Sequence, residues 1–285
     1  MIRTPGSPSL LIVGCGDLGA AVGTQLIATG WQVWGLRRRP ESLPAGITPV
    51  TGDVTTPDTL AAAAGLRPDL VLVTLTPAAF DDPGYRQTYV AGARHLLQVL
   101  PRPQRLLWVS STSVYPQDDG SWVNEQTPCK PASFSGQRLL EAEILLQQSG
   151  WPVTVVRLAG IYGPGRDRLL LRLQAGRRSP PTPVRISNRI HRDDAAGVLR
   201  LLLERAASGE ALDSLYLGVD CEPTPIHEVE QWFADWLRLP PPPAAPTAAP
   251  LRGGHRYCSN ARLRALGYRF LYPSFRDGLP TLLKH

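Results

Sequence analysis

Leu10-Leu11-Ile12-Val13-Gly14-Cys15-Gly16-Asp17-Leu18-Gly19-Ala20-Ala21-Val22-Gly23-Thr24-Gln25-Leu26-Ile27-Ala28-Thr29-Gly30 is the stretch that decides the fold. Leu10 to Val13 is a short apolar run of the kind a fully buried parallel strand needs. Leu18, Val22 and Leu26 then recur at helical spacing until Gly30 can cap. Between strand and helix lies Gly14-Cys15-Gly16-Asp17-Leu18-Gly19. In that spacing Gly14 permits the tight turn out of the strand, Gly16 lets backbone approach a pyrophosphate, and Gly19 lets the helix pack closely on the sheet. Free N–H groups and the dipole at the helix start, where Asp17 and Leu18 stand, favour the phosphates of a dinucleotide. The competing reading is a glycine turn with a structural role alone.

Working outward, Gln32 to Leu36 reads as a second strand that runs into Arg37-Arg38-Arg39. At this place an acidic residue bonds the ribose 2′-hydroxyl of NAD, whereas arginine accommodates the 2′-phosphate of NADP. Arginine is present and no acid is. Arg37 and Arg38 therefore point to NADP (NADPH) over NAD, against the alternative of a solvated basic turn. Ile47 to Val50 predicts a third strand leading to Gly52-Asp53-Val54, with Asp53 and Val54 at the adenine edge. Leu60 to Ala64 predicts a short helix. Leu70 to Thr74 predicts a fourth strand, with Thr74, Leu75 and Thr76 at its carboxyl end, where ligands bind in open α/β sheets.

Tyr85 to Leu100 has helical spacing and is stopped by Pro101. Arg105 to Val109 predicts a fifth strand that delivers Ser110-Ser111-Thr112-Ser113-Val114-Tyr115 to the same sheet edge. Ser133 to Gly150 predicts a helix and Val153 to Leu158 a sixth strand. This alternation implies right-handed crossovers and an α/β fold with a doubly wound parallel sheet of Rossmann type. Residues 1–160 are expected to form the nucleotide-binding domain, with segments of 184–222 returning to it. Residues 161–285 are expected to supply a smaller, interleaved C-terminal substrate lobe. There Arg166 to Arg189 reads as irregular, Asp193 to Ala207 as a helix, Leu215 to Val219 as a strand and Ile226 to Leu239 as a helix. Pro240 to Pro250 holds six prolines and reads as a stiff linker. Asn260 to Leu266 is a short element capped by Gly267.

A chain of 285 residues that is 43% hydrophobic can bury a sizeable core. No stretch reaches the roughly 18 uninterrupted apolar residues of a membrane span. Met1 to Ser9 is polar and rich in Pro and Gly, which reads as no signal peptide and predicts a cytoplasmic location. Cys15, Cys129, Cys221 and Cys258 are widely spaced, so neither a zinc site nor a disulfide framework is indicated. Net charge is +6. Only Lys130 and Lys284 are lysines, however, and the arginines are spread along the chain. That pattern argues against nucleic acid and for a small-molecule partner, an anionic one if the arginines bind it. The oligomeric state stays open.

These residues resemble the extended and atypical short-chain dehydrogenase/reductases, the group that also holds nucleotide-sugar epimerases and dehydratases. The resemblance runs through Gly14 to Gly19, Gly52-Asp53-Val54, Ser110 to Tyr115, Arg157 before Tyr162-Gly163-Pro164-Gly165, and Arg189-Ile190-His191-Arg192-Asp193-Asp194. Cys258-Ser259-Asn260-Ala261-Arg262-Leu263 and Tyr272-Pro273-Ser274 resemble a divergent bacterial branch, the YeeZ-like proteins. The resemblance implies a catalytic Ser or Thr, here Ser111, beside a Tyr-x-x-x-Lys pair in which tyrosine exchanges the proton and lysine lowers its pKa. Aligning Gly136 and Glu143 puts Ser135 and Leu139 at the pair's positions. A shift of one residue gives Phe134 and Arg138, and arginine cannot be deprotonated in a protein.

Tyr115 and Tyr162 carry ionisable hydroxyls and His191 a suitable pKa, so each is a candidate replacement acid and each also fits a structural place. Arg157, Arg166, Arg168, Arg189 and Arg192 are candidates for carboxylate or phosphate recognition, or else a solvated basic face. Trp232 and Trp236, four apart, read as packing. Two functions stay open: an NADP-dependent oxidoreductase or epimerase-like enzyme lacking the standard pair, and a non-catalytic NADPH-binding redox sensor.

Overall fold

The computed structural model describes residues 7–242 and 253–283. Its core is a seven-stranded sheet. Five strands are β1 (Ser9–Val13), β2 (Gln32–Arg37), β3 (Thr48–Thr51), β4 (Leu70–Val73) and β5 (Arg105–Ser111). With strands Val153–Leu158 and Leu215–Gly218 the spatial order is Leu215–Gly218, Val153–Leu158, β5, β4, β1, β2, β3. β3, β2, β1, β4 and β5 are parallel, with Leu11 opposite Trp34 on one side and Val71 on the other. Every residue of β1, β4 and Val153–Leu158 is buried, as a parallel sheet covered on both faces requires. The fold is the doubly wound α/β type expected.

Helix α1 (Asp17–Ile27) follows β1 directly. Gly14 has φ +74°, and a Cβ there would lie 2.9 Å from the Thr74 carbonyl oxygen. A Cβ on Gly19 would stand 2.8 Å from Ile12 Cγ2, so only glycine lets α1 lie this close to β1.

Some boundaries differ from the sequence pattern. The Tyr85–Leu100 run is an α-turn at Asp82–Tyr85, a π-helical stretch Arg86–Ala91 and a helix Gly92–Val99. Asp81 starts it early by accepting from Gly84 N at 2.8 Å. Gln87 and Tyr89 in the widened turn bond the Thr55 and Leu75 carbonyls, contacts that hydrophobic spacing does not encode. The stretch read as irregular, Arg166 to Arg189, holds a helix, Arg168–Gln174, and strands from Ile186. Leu170 and Leu173 pack on Val229, Phe233 and Phe275, and such tertiary burial stabilises a helix too short to stand alone. The remainder of the expected linker beyond Pro242 lies outside the described residues.

The chain divides into two compact units. The first comprises the described residues through Val114, Cys129–Arg157 and Ala196–Tyr216; the second comprises Tyr115–Pro128, Leu158–Ala195 and the described residues from Leu217. Inside the first, the helix Phe134–Gln148 is capped by Ser133 and buries Gly136, Leu139, Ala142, Glu143 and Leu146. Glu143 is met by Arg157, whose Nη2 donates at 2.6 Å, and by the Ser110 hydroxyl. Inside the second, the core is Leu170, Leu173, Val229, Phe233, Phe275, Leu279 and Leu282. Buried Asp194 accepts from Tyr268 Oη and from Leu271 N and Tyr272 N, which pins the C-terminal segment.

Removing one partner of a buried, hydrogen-bonded ion pair leaves a charge uncompensated and costs about 3–5 kcal/mol. Arg157→Met is expected to lose stability on that scale in urea denaturation. Arg200→Met, which breaks the more exposed Arg200–Glu204 pair, is expected to lose no more than about 0.5 kcal/mol. Equal losses would show that the Glu143–Arg157 pair does not anchor the fold.

Candidate functional site

The carboxyl ends of β1 to β5 gather the residues read as cofactor-binding. Gly14 N and Cys15 N both donate to the Leu36 carbonyl, at 2.9 and 3.1 Å, which binds the glycine loop to the end of β2. Thr74 Oγ1 donates to Gly14 O at 2.9 Å and ties the loop to β4. Arg37 Nη1 reaches Cys15 O at 3.4 Å, so its half-buried side chain lies along the loop; Arg38 is exposed. Gly16 and Asp17 are exposed and Leu18 is buried under the helix start. A Cβ on Gly16 would meet nothing nearer than Gly14 O at 3.9 Å, so the outer wall of the loop is open.

Asp53 uses Oδ1 to accept from Thr55 N and Thr55 Oγ1 at 2.9 and 2.8 Å. Buried Val54 offers its carbonyl to His95 Nδ1 at 2.7 Å. Leu75 O accepts from Tyr89 Oη, and Thr76 is exposed. The Cys15 thiol is buried, which pushes its pKa up to about 11 and leaves it unreactive.

Ser111 closes β5, half-buried, with Oγ accepting from Ser113 N at 3.2 Å. A Cβ on Gly136 would stand 2.8 Å from Ser113 O, so the first turn of the Phe134–Gln148 helix abuts the Ser111–Ser113 turn. Neither register supplies a tyrosine and lysine there. Phe134 joins an aromatic group, its ring 5.7 Å from Phe80 and 5.4 Å from Tyr85, that the sequence reading did not foresee. Ser135 Oγ is 3.3 Å from Ser133 Oγ. Arg138 is held by Asp82 and Glu141, both at 2.7 Å, and Leu139 is buried.

Tyr115, Tyr162 and His191 belong to the second unit. Tyr115 is buried and donates to Asn124 O at 2.8 Å. Tyr162 donates to Ser274 O at 3.4 Å, and its pKa is raised chiefly by burial. Gly278 is glycine because any Cβ would collide with the Tyr162 ring. His191 lies against Tyr162, ring centroids 5.3 Å apart, and against Tyr272 at 3.8 Å. It is fully buried, its Nδ1 accepts from Asp193 N and its Nε2 faces Thr281 Oγ1 at 3.0 Å. Burial lowers its pKa, which fits a neutral ring with both nitrogens engaged.

The arginines are largely committed inside the protein. Arg157 holds Glu143, Arg192 holds Asp193 at 2.9 Å, and Arg189 bonds Ser187 Oγ. Of the five singled out, Arg168 is the exposed one. Trp232 packs edge-on against Phe275, and Trp236 stacks on Phe233 with its outer side open. Near Arg189 stands Asp220, which no sequence motif marked. Its pKa is raised to about 7, first by burial, with Arg189 opposing.

Residues 10–213 match the model of the NAD dependent epimerase/dehydratase family. The chain belongs to that family. Protein YeeZ of Escherichia coli (strain K12) is 30% identical over 282 residues, covering 92% of this chain and 95% of that one. A putative NAD-dependent epimerase/dehydratase from Methylobacillus flagellatus shares 38% identity and superposes with a TM-score of 0.81 over 97% of this chain and 98% of that one. The UDP-glucose 4-epimerase of Thermus thermophilus, solved in complex with NAD, shares the fold at 21% identity, with a TM-score of 0.80 and 98% of each chain covered.

This epimerase/dehydratase chain holds a buried acid that titrates near neutrality, and the sign of its effect on stability follows. Folding raises the Asp220 pKa from 3.8 to about 7, so between those values the native state binds the proton and the unfolded state does not. Stability is therefore expected to fall as pH rises from about 4 to about 7 and to level off above. Asp220→Asn is expected to flatten that part of the curve of urea midpoint against pH. Parallel curves for the two proteins would remove Asp220 as the cause.

Proposed function

We propose that the first unit binds NADP(H) in preference to NAD(H), and that the chain is an NADP-dependent oxidoreductase or epimerase-like enzyme working without the Tyr-x-x-x-Lys pair. The observation that carries this is Arg37 lying along the glycine loop at the end of a strand that offers arginine and no acid. The open side of Gly16 and the N-terminus of α1, which no N-cap side chain covers, suit a pyrophosphate. Arg37 and Arg38 suit a 2′-phosphate, and Asp53 and Val54 flank the adenine side. The cofactor supplies hydride exchange at its nicotinamide when bound. Ser111 donates a hydrogen bond to the substrate oxygen where negative charge develops.

The substrate is a small molecule, and Arg168 is free at the surface to meet an anionic group on it. Neither nucleic acid nor a membrane is its partner, and it works in the cytoplasm. Among the described residues no helix is long and apolar enough to cross a membrane.

One observation favours a second reading, an NADPH-binding module that reports redox state. The Tyr115 and Tyr162 hydroxyls and both His191 nitrogens already have protein partners. A module that never moves a proton has no use for a free acid.

Saturating NADPH is expected to raise the melting temperature more than NADH does, since a ligand bound only by the native state adds about 2.7 kcal/mol at a hundredfold excess over Kd. Arg37→Glu is expected to reverse the order. Equal shifts for the two cofactors would refute the preference. In a screen of carbonyl compounds and alcohols with NADPH or NADP, Ser111→Ala is expected to lose about 10²-fold or more in kcat. Undiminished turnover in that variant would remove Ser111 from the mechanism, and tight NADPH binding without turnover on any compound would favour the module.

A further inference from the structure

His191 lies fully buried inside the second unit, at the end of the strand Arg189–His191 and just before the helix Arg192–Ala207. A chain of hydrogen bonds runs through its ring. Asp193 N donates to Nδ1 at 3.2 Å, and Nε2 stands 3.0 Å from Thr281 Oγ1. Thr281 Oγ1 in turn donates to Gly278 O at 2.6 Å. Only one arrangement of protons fits all three links. A backbone N–H can only donate, so Nδ1 is bare; a neutral imidazole then carries its proton on Nε2, and the single hydroxyl hydrogen of Thr281 is left for Gly278. The ring thereby ties the helix start to the C-terminal turn Leu279–Leu283, whose Leu279 and Leu282 enter the core of this unit.

The same geometry makes the tie sensitive to acid. A protonated imidazole donates from both nitrogens, so a proton on Nδ1 would set one N–H against another. Asp193 Oδ2 stands 3.7 Å from Nδ1, beyond hydrogen-bond reach, and Oδ1 of that carboxylate is taken by Arg192. Asp194 is spent on Tyr268 Oη, Leu271 N and Tyr272 N. From the strand Gly160–Tyr162 the Tyr162 ring faces His191 edge-on, and the Tyr272 ring lies against it from the C-terminal segment. Beside the turn, Arg276 is paired with Glu222 and Asp277 accepts from Ser274 Oγ. Burial outweighs the pull of Asp193 and Asp194 and, with Arg192, holds the His191 pKa below its ordinary value.

We propose that His191 is an acid-sensitive latch: neutral, it closes the chain from Asp193 N to Gly278 O, and protonated, it releases the C-terminal turn from the helix start. Gly278 presses on the Tyr162 ring, so release of the turn also uncovers one side of Tyr162. The latch needs neither cofactor nor substrate and stands apart from the enzyme and module readings. An opened turn returns the ring to water and to a pKa of 6.5, so each pH unit below that value favours the open form by about tenfold until the closed form itself takes up the proton.

The test is amide hydrogen exchange on the full chain at pH 8 and pH 5.5, corrected for the intrinsic rate at each pH, together with nitrogen NMR of the His191 ring. Expected at pH 8 is a bare Nδ1 and a protonated Nε2. At pH 5.5 residues 275–283 are expected to open about tenfold more than at pH 8, while β1 keeps its protection. His191→Asn, which offers Asp193 N an acceptor but cannot titrate, is expected to show no such rise. Asp220, whose protonation favours the folded state as pH falls, acts equally in both proteins. A proton on Nδ1 at pH 8 overturns the latch, as does protection at 275–283 that is the same at both pH values or that changes equally in His191→Asn. Should the variant not fold, the ring titration of the wild type decides: protonation that coincides with loss of protection at 275–283 upholds the latch, and protonation with that protection intact overturns it.

Discussion

A carboxylate buried beneath a helix can stay charged only if it is paired, and in the first unit that constraint falls on Glu143. Arg157 meets it through Nε and Nη2, while Ser110 donates its hydroxyl and Cys129 takes the remaining Arg157 Nη1 at 3.2 Å. The cluster joins the Phe134–Gln148 helix to β5 and to the strand Val153–Leu158. It therefore sets the rotation of that helix about its axis. With Glu143 turned inward, the residues one and two turns earlier on the same face, Leu139 and Gly136, must also face inward. Everything the site can offer from this helix follows from that phase.

The glycine loop was legible because its requirements are steric and local. Gly14 and Gly19 stand where the Thr74 carbonyl and the Ile12 side chain leave no room for a Cβ, and no other residue type meets that demand. The strands were legible for a related reason, since a strand buried on both faces must be apolar throughout. The helix Arg168–Gln174 was not legible. It is made by its contacts with Phe233 and Phe275, which lie far away in sequence. The aromatic group of Phe80, Tyr85 and Phe134 escaped for the same reason, because three elements without a common motif bring it together.

Charge was the least legible property. The sequence shows an excess of arginine, and an exposed guanidinium is free to bind an anion. In the folded protein Arg157, Arg172 and Arg189 are at least partly buried and spent on Glu143, on Glu230 and on Ser187. Which arginine remains free depends on where each buried acid ends up, and linear spacing carries no such information. Asp220 illustrates this from the acid side: its pKa is raised by the burial that folding imposes, against the opposing pull of Arg189, to which its backbone is bonded.

The missing proton pair is likewise built into the packing. Restoring lysine at position 139 would put an ammonium where Leu139 is now buried, and desolvation would drive its pKa down. One residue earlier, Arg138 is clamped by Asp82 and Glu141, which also hold the helix start against the Asp82–Tyr85 turn. A lysine there would lose the planar fork that bonds Asp82 through two nitrogens. The helix start as it is packed holds no Tyr-x-x-x-Lys pair, while Gly136 presses that turn against the segment carrying Ser111. In the enzyme reading proposed above, the Ser111 hydroxyl would work with a proton source other than the tyrosine and lysine of that pair.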